Sequence, residues 1–527
     1  MSLALPSLDP QPLGPGVYRT DAFHRRPLFA VSGSGIDATD GQPLVVGSWL
    51  EAHALHGPAG IADLNPAWLG AFITGEHSAD QAPYCRIARL PRAHQVTIAG
   101  DGRVQTDAYD PFAGGAAAMA AEPLHGYLRE GLLDHLRREL AGVDGPIGCE
   151  HSSGIDSNAV LGALMRGLAI PAEQIHTWSL ESCGEGPLLE QFRPFHHLCQ
   201  EQVYVDCSPE ASGQNSSNSL ADHQLARQLD VMDWLGAPAQ TRGMLQALAH
   251  FRGAGCEVIL SGFGGDQALS HNAANVPTDL VAQGRWHELV AWLDGSRRQA
   301  LKTGLGRVLA LVSRPWAMAK VLERTREFCS SDLLQRSLTV RGKEWLGPHL
   351  GSTYPWEIDG YLRQHESMRQ RVLAPWVALR AEEETRLAAG FGLRKLFPML
   401  DEPLIATLLH QDVALFGERA GHGRLLARRA FAPFLPPFLQ ATASKRRELV
   451  EGYQDQIKRR HQVAIASGLA RLADWHPLLG QWWQLDQIVA EASAIAEKPD
   501  PSPKEAVGTD KALRRLEQLS QWLERLE

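Results

Sequence analysis

The hydrophobic and polar positions of the chain change rhythm along its length. Up to about residue 115 the apolar runs are short and lie among Gly, Pro and polar residues, as in PLFAVSG, PLVVGSW and HQVTIAGDGRV. They predict short strands joined by turns. From Pro123 the period lengthens. Leu124, Leu128, Leu132, Leu133, Leu136 and Leu140 recur at three- and four-residue steps and predict an amphipathic helix. The strand GPIGCE follows, then the polar turn HSSGIDS and the helical run NAVLGALMRGL. The alternation returns downstream, where IHTWSL predicts a strand, MLQALAHFRGAG a helix, CEVILSG a buried strand and FGGDQALS a loop. Strands alternating with helices predict an α/β fold whose parallel sheet takes ligands at its strand ends. From about residue 275 the pattern is mostly helical, with DGSRRQALKTGLGRV and KPDPSPKEAVGTDK predicted as surface loops or joins. Trp475, Trp482 and Trp483 are expected to pack helices rather than to form a ligand platform.

Composition narrows the function classes. With 527 residues the chain exceeds one ordinary core and is expected to form two or three packed units. Its formal charge of −9 argues against a nucleic-acid binder, which carries a basic excess. No uninterrupted apolar stretch reaches the ~18 residues of a membrane span, and no secretory signal is evident at the N-terminus. Seven cysteines, scattered and without a Cys-x-x-Cys pair, fit a reducing cytoplasm and neither a disulfide framework nor a zinc ribbon.

Two loops carry chemistry. Ser152-Ser153-Gly154-Ile155-Asp156-Ser157 stands between a predicted strand and a helix. Small residues let the backbone approach a ligand, and the following helix N-terminus favours phosphate. The hydroxyls of Ser152, Ser153 and Ser157 can donate to phosphate oxygens, and Asp156 can hold Mg²⁺. Taken alone, an ordinary Ser-Gly turn capping a helix explains this loop nearly as well. Leu260-Ser261-Gly262-Phe263-Gly264-Gly265-Asp266-Gln267 repeats the arrangement after the strand CEVI and adds a second metal-type carboxylate, Asp266. The pair together favours a nucleoside triphosphate held through Mg²⁺ over two structural turns. Gly33-Ser34-Gly35-Ile36-Asp37-Ala38 mimics a dinucleotide loop but has no βαβ unit around it and is rejected. His196-His197 lacks a spaced ligand set and is expected to be a surface or packing pair.

These loops resemble those of asparagine synthetases. HLRRELAGVDGPIGCEHSSGIDSN is similar to that family's pyrophosphatase loop, usually Ser-Gly-Gly-Leu-Asp-Ser, and CEVILSGFGGDQ to its later Ser-Gly-Asp-Gly-Gly-Asp-Glu loop. FPMLDEPLI resembles the Pro-Phe-Leu-Asp segment, and GRLLARRAFAPFLPPFLQATASK the late helix, Leu-Pro element and lysine. PYCRIARLPRAHQVTIAGDGRV looks like the strip that joins the family's glutaminase and synthetase domains. The resemblance spans roughly residues 75 to 460. It implies an ATP-pyrophosphatase fold that adenylates a carboxylate with ATP and Mg²⁺ and passes the acyl group to an amine. It assigns Ser152, Ser153, Gly154, Asp156, Ser157 and Ser179 to the nucleotide and its pyrophosphate, and Ser261 and Gly262 to AMP. Asp156 and Asp266 fall to the metal, and Lys445 to the catalytic lysine. A cation there would offset charge developing at the reacting centre; a solvated basic cluster with Arg446 and Arg447 is the bland alternative.

Departures from the family pattern refine the expectation. Glutamine-dependent members carry Cys directly after Met; here residue 2 is Ser and the first cysteine is Cys85, so ammonia from glutamine is not expected. β-Lactam synthetases use a Tyr in the second loop and a Glu shortly before Pro-Phe-Leu-Asp as a proton-removing pair. Those positions are Phe263 and, by ungapped count, Arg394, and neither can act as that base. Lasso-peptide cyclases also lack the glutaminase cysteine and end in a helical tail, as TDKALRRLEQLSQWLERL does here. Two domains are therefore expected: a degenerate glutaminase-like, β-rich unit over residues 1–118, and a synthetase domain with a helical tail over 119–527. The favoured function is lasso-peptide macrolactam closure in the cytoplasm. The substrate is a peptide or small molecule carrying carboxylate and amine, and a precursor-peptide protease and a recognition protein are candidate partners. The alternatives are an asparagine or β-lactam synthetase-like ligase on a small molecule, or a nucleotide-binding pseudoenzyme, since Ser153, Phe263 and Gln267 replace a usual Gly, Asp and Glu.

Overall fold

The computed structural model describes residues 12–23, 27–32, 43–47, 52, 55–56, 60–74, 81–180, 186–198, 203–205, 241–293, 295–312, 331–349, 363–417, 423–441, 453–472 and 475–526. The rejected Gly33–Ala38 loop and Lys445 lie outside them.

The first part is antiparallel. β1 (Gly16–Thr20), β2 (Phe29–Val31), β3 (Leu44–Val46), β4 (Ile87–Arg89), β5 (His94–Ile98) and β6 (Val104–Ala108) form two three-stranded sheets, ordered β1-β5-β6 and β3-β2-β4. The helix α1 (Pro66–Thr74) runs between β3 and β4 in sequence. The predicted leucine stripe then forms α2 (Ala121–Glu139), which buries Leu124, Leu128, Leu132, Leu133 and Leu136.

The centre is a five-stranded sheet of β7 (Ile147–Glu150), β8 (Ile175–Leu180), β9 (Val203–Val205), β10 (Val258–Leu260) and β11 (Arg394–Leu396). Its order is β11-β10-β7-β8-β9 and every pairing is parallel. Alternate strand residues feed two cores, as a period of two requires. Ile147, Cys149, Ile175 and Leu260 join the leucines of α2, while Trp178 and Ile259 join Leu245, Leu248 and Phe251 of α4 (Thr241–Gly253). Gly148 is small for a reason: a Cβ there would lie 2.8 Å from the Phe251 ring. The fold is thus α/β, with a parallel sheet between helical layers.

The chain reaches β8 and β9 on one side of β7 before returning to β10 and β11 on the other. The strand order therefore switches direction between β7 and β10, the place where such sheets open a crevice beyond their carboxyl ends. β7 (between the two) leads into α3 (Ile155–Gly162).

Helices complete the rest: α5 (Arg297–Val312), α6 (Gln364–Val372), α7 (Pro375–Gly390), α8 (Glu402–Leu408), α9 (Leu425–Ala430), α10 (Tyr453–Ala470), α11 (Leu485–Glu497) and α12 (Pro503–Leu526). Two of these correct the sequence reading. RRQALKTGLGRV is helix α5 rather than a loop, since Ala300 and Gly304 seat against its neighbours despite the glycines. PKEAVGTDK is the start of α12, because Pro503 stands in the first turn, where no N–H is missed. Trp475, Trp482 and Trp483 are buried among helices as expected. No described helix is long and apolar enough to cross a membrane.

The β-rich part is tied to helices α7 and α8. Arg89 of β4 reaches Glu382 of α7 at 3.2 Å, both side chains fully buried, and the Ala22 amide donates to Glu402 at 2.9 Å.

Candidate active site

Both predicted loops leave adjacent strands at the same level, since Leu260 pairs with Cys149 in register. The first loop is tied by its own hydroxyls. Ser152 Oγ lies 2.9 Å from Ser157 Oγ, the Ser152 amide donates to Ser157 Oγ at 3.1 Å, and the Gly154 amide to Ser152 Oγ at 3.2 Å. Gly154 caps α3 with extended backbone, and Ser153 is buried without a positive φ, so its side chain causes no backbone strain. Ser179 is buried beneath the loop, its hydroxyl donating to the His151 carbonyl.

Sequence reading missed the residue that braces this loop. Asn158 Nδ2 donates to the carbonyls of Ser152 and Gly154 at 2.8 and 2.7 Å. Its Oδ1 accepts from His151 Nε2 at 3.1 Å and His196 Nε2 at 2.8 Å. His196 is therefore a packing residue of the loop's support, as its pair was expected to be, while His197 is exposed. Burial, then the neighbouring His151 and Arg166, pushes the His196 pKa down to about 2, so the ring is neutral and its Nε2 hydrogen is fixed toward Asn158.

The second loop lies against the first. A Cβ on Gly262 would stand 2.5 Å from the Ser157 nitrogen, and one on Gly265 would stand 2.3 Å from Asp156 Oδ1. Gly264 takes φ +98, a conformation that glycine adopts freely. Ser261 is buried; its amide donates to the Leu396 carbonyl at 3.0 Å and its Oγ accepts from the Phe263 amide at 3.2 Å. Asp156 and Asp266 are brought to one place by a residue not anticipated, Arg424, which stands at the N-terminus of α9 with φ +64. Its guanidinium reaches Asp156 Oδ2 at 3.4 Å and also pairs with Asp266. Arg424 Nε is buried with no hydrogen-bond partner among the described residues. Arg371 of α6 adds a second cation beside Asp266. Burial and these two arginines lower the His271 pKa to about 3, keeping it neutral behind them.

This arrangement suits a triphosphate with Mg²⁺. The two carboxylates and the serine hydroxyls are hard oxygen donors, and they leave positions for phosphate oxygens and water, as Mg²⁺ prefers. Among the described residues no group of three His, Cys, Asp or Glu could hold a metal by itself. The arginines supply the cations that a polyphosphate needs.

Two further residues of the sequence reading have structural places. Asp401, of the segment FPMLDEPLI, accepts from the Leu404 amide at 3.0 Å and binds His135 at 2.7 Å, so it caps α8 and braces α2. Arg394 is exposed at the start of β11 and donates to the Glu139 carbonyl at 2.6 Å. Beside it in sequence, Lys395 is fully buried, with Glu150 at 2.5 Å and Glu384 at 2.7 Å. Burial opposes its charge, but the two carboxylates outweigh that and raise its pKa.

The asparagine synthase family model matches residues 128–469, more than half of the chain and all of the described site. No curated protein matches.

Proposed function

The chain belongs to the asparagine synthase family, whose members are ATP-dependent, AMP-forming carbon–nitrogen ligases, and from that premise we propose that it closes a macrolactam ring on a peptide. The observation that carries the nucleotide half of this reading is the direct apposition of the two loops across the sheet's switch point, with Asp156, Asp266 and Arg424 in one cluster. A side-chain carboxylate oxygen attacks the α-phosphorus of ATP, the bond to the β-phosphate breaks, and pyrophosphate leaves. The amine of the same peptide then attacks the acyl carbon, its proton passes to water or to a phosphate oxygen of the departing AMP, and the acyl carbon–oxygen bond to AMP breaks. Mg²⁺, held by Asp156 and Asp266, would neutralise phosphate charge. Ser152, Gly154 and Ser157 would cradle the pyrophosphate, with Ser153 and Ser179 supporting them and Ser261 and Gly262 beside AMP. Lys445 would face the reacting centre.

The macrolactam reading is favoured over β-lactam formation by Phe263, whose ring has no ionisable group, and by Arg394, which is exposed and committed to Glu139. A peptide amine that arrives deprotonated from bulk water has one proton left to lose after attack, and water or the departing AMP phosphate can take it without a Tyr–Glu pair. A precursor-peptide protease and a recognition protein are proposed partners, and the reduced cytoplasm the proposed setting.

The test is incubation with ATP, Mg²⁺ and peptides carrying a free N-terminal amine and one internal Asp or Glu. Release of AMP and pyrophosphate with loss of one water from the peptide is expected. ADP release, or AMP release without any amide product, would overturn the ligase reading.

A further inference from the structure

Behind Phe263 runs a line of charged side chains that alternate in sign. Glu150, at the end of β7, meets Lys395 of β11 at 2.5 Å. Lys395 meets Glu384 of α7 at 2.7 Å, and Glu384 accepts from Arg380 Nε, one helical turn earlier, at 2.7 Å. The line is buried in its middle and most open at its far end: the side chains of Glu150, Lys395 and Glu384 are 18%, 0% and 4% exposed, that of Arg380 28%. Arg380 therefore ends the line at its most exposed point, against Phe263 of the second loop. Its guanidinium carbon stands 4.0 Å above the Phe263 ring, and Phe263 is walled by Trp376 and Phe397, each at 5.8 Å between ring centroids. Only Nε of Arg380 is engaged; its two terminal nitrogens have no hydrogen-bond partner among the described residues.

A guanidinium fixed on one edge by a buried carboxylate and on one face by an aromatic ring presents its remaining donors in a set direction. Two parallel N–H groups match a carboxylate or a phosphate oxygen pair. We propose that Arg380 is the residue that receives the carboxylate to be activated, continuing the alternation of charge by one more anion. Resting on the ligase reading above, this places the acyl side chain against Phe263 and Trp376. The apolar wall would take the methylene groups of an Asp or Glu side chain and keep water from the activated acyl group. Phosphate is the other anion of matching geometry, but Arg424 and Arg371 already stand at the Asp156–Asp266 cluster where it would lie.

The experiment separates these sources. Purified full-length protein is treated with phenylglyoxal, which modifies accessible guanidinium groups, and the adduct at Arg380 is quantified by peptide mass mapping. The probes are N-acetyl-glutamate α-methylamide and N-acetyl-aspartate α-methylamide, each with a single carboxylate, against their glutamine and asparagine counterparts and MgATP. Protection of Arg380 by a carboxylate probe and not by its amide counterpart is expected. Protection by MgATP alone, or by nothing, would overturn the assignment. In ATP–pyrophosphate exchange, Arg380→Met should raise the KM for the carboxylate roughly tenfold or more with the KM for ATP unchanged, and Arg380→Lys should lie between. An unchanged carboxylate KM in a folded Arg380→Met protein also overturns it. If that variant does not fold, the protection assay on the unmodified protein decides. Absence of exchange with the unmodified protein would instead count against the ligase reading, while carboxylate protection of Arg380 would still be read.

Discussion

Gly262 faces Ser157 so closely that a methyl group on Gly262 would lie 2.5 Å from the Ser157 backbone nitrogen. The obstacle is backbone, not a flexible side-chain tip, so one loop must move. Gly262 has no positive φ, which leaves space as the whole of the requirement. Gly262→Ala is expected to part the loops and cut ATP turnover about tenfold or more, an overpacking cost of roughly 1–3 kcal/mol. Gly126→Ala, within α2 and with nothing within 4 Å, is the control and should leave turnover unchanged. Equal turnover in both variants would show that the loop contact does not matter.

A second prediction concerns the carboxylates that share Arg424. Asp156→Asn and Asp266→Asn should each abolish measurable ATP–pyrophosphate exchange and raise the Mg²⁺ concentration needed for nucleotide binding. The loss is about a hundredfold or more if each carboxylate contributes roughly 3 kcal/mol to the reacting state. Asp266 is half-exposed, so its variant should keep the thermal unfolding midpoint of the parent protein. Full exchange activity in either purified variant removes these residues from the site.

How much of this was legible in the sequence depended on distance along the chain. The leucines of α2 and the apolar runs of β7 and β10 declare themselves through local period, and the Gly- and Ser-rich turns after them mark the strand ends. Arg424 carries no such mark. It enters the site because α9 begins there with a left-handed residue, and nothing in GHGRLL announces the carboxylates it meets. Lys395 lies in the short strand RKL, where a lysine reads as an exposed edge residue; its pairing with the carboxylates of Glu150 and Glu384 reverses that. α5 was hidden by its glycines and by an apolar stripe, Leu301 and Leu305, that faces outward.

Asp401 ties α2 to α8, and its pH dependence has a definite sign. Burial works against its charge, but the hydrogen bonds from His135 and the Leu404 amide win and hold its carboxyl below the ordinary range. A carboxylate with a lowered folded pKa contributes stability above the unfolded value, about 3.9, and loses it as pH falls through the folded one. Asp401→Ala should therefore destabilise by about 1–2 kcal/mol at neutral pH, with the gap to the parent protein narrowing below pH ~4. Urea unfolding across pH would read this; a gap that widens in acid contradicts it.

Lys395 makes a prediction about stability alone. Lys395→Met removes one cation from between two carboxylates, leaving Glu384 buried with Arg380 as its ion-pair partner among the described residues. Breaking such a pair costs roughly 3–5 kcal/mol because the remaining charge stays out of water. The double variant Lys395→Met/Glu384→Gln should recover a large part of that loss. Additive destabilisation in denaturant unfolding would mean that the two do not share one network.

The last prediction isolates Lys445, which lies outside the described residues and rests on sequence alone. The segment ATASKRRELV follows, in sequence, the helix and Leu-Pro element that begin at Arg424. If its ammonium offsets charge at the acyl-adenylate or the tetrahedral centre, Lys445→Ala should slow single-turnover chemistry by orders of magnitude while leaving ATP affinity nearly unchanged. A loss of ~3 kcal/mol corresponds to a factor of a hundred or more. Lys445→Arg should be poor as well, because a planar guanidinium cannot place a compact charge in the same position. Arg446→Ala and Arg447→Ala control for a merely basic surface, whose screened charges would each give small and similar effects. Comparable small losses across all four variants would mark the cluster as a solvated face and take Lys445 out of the mechanism.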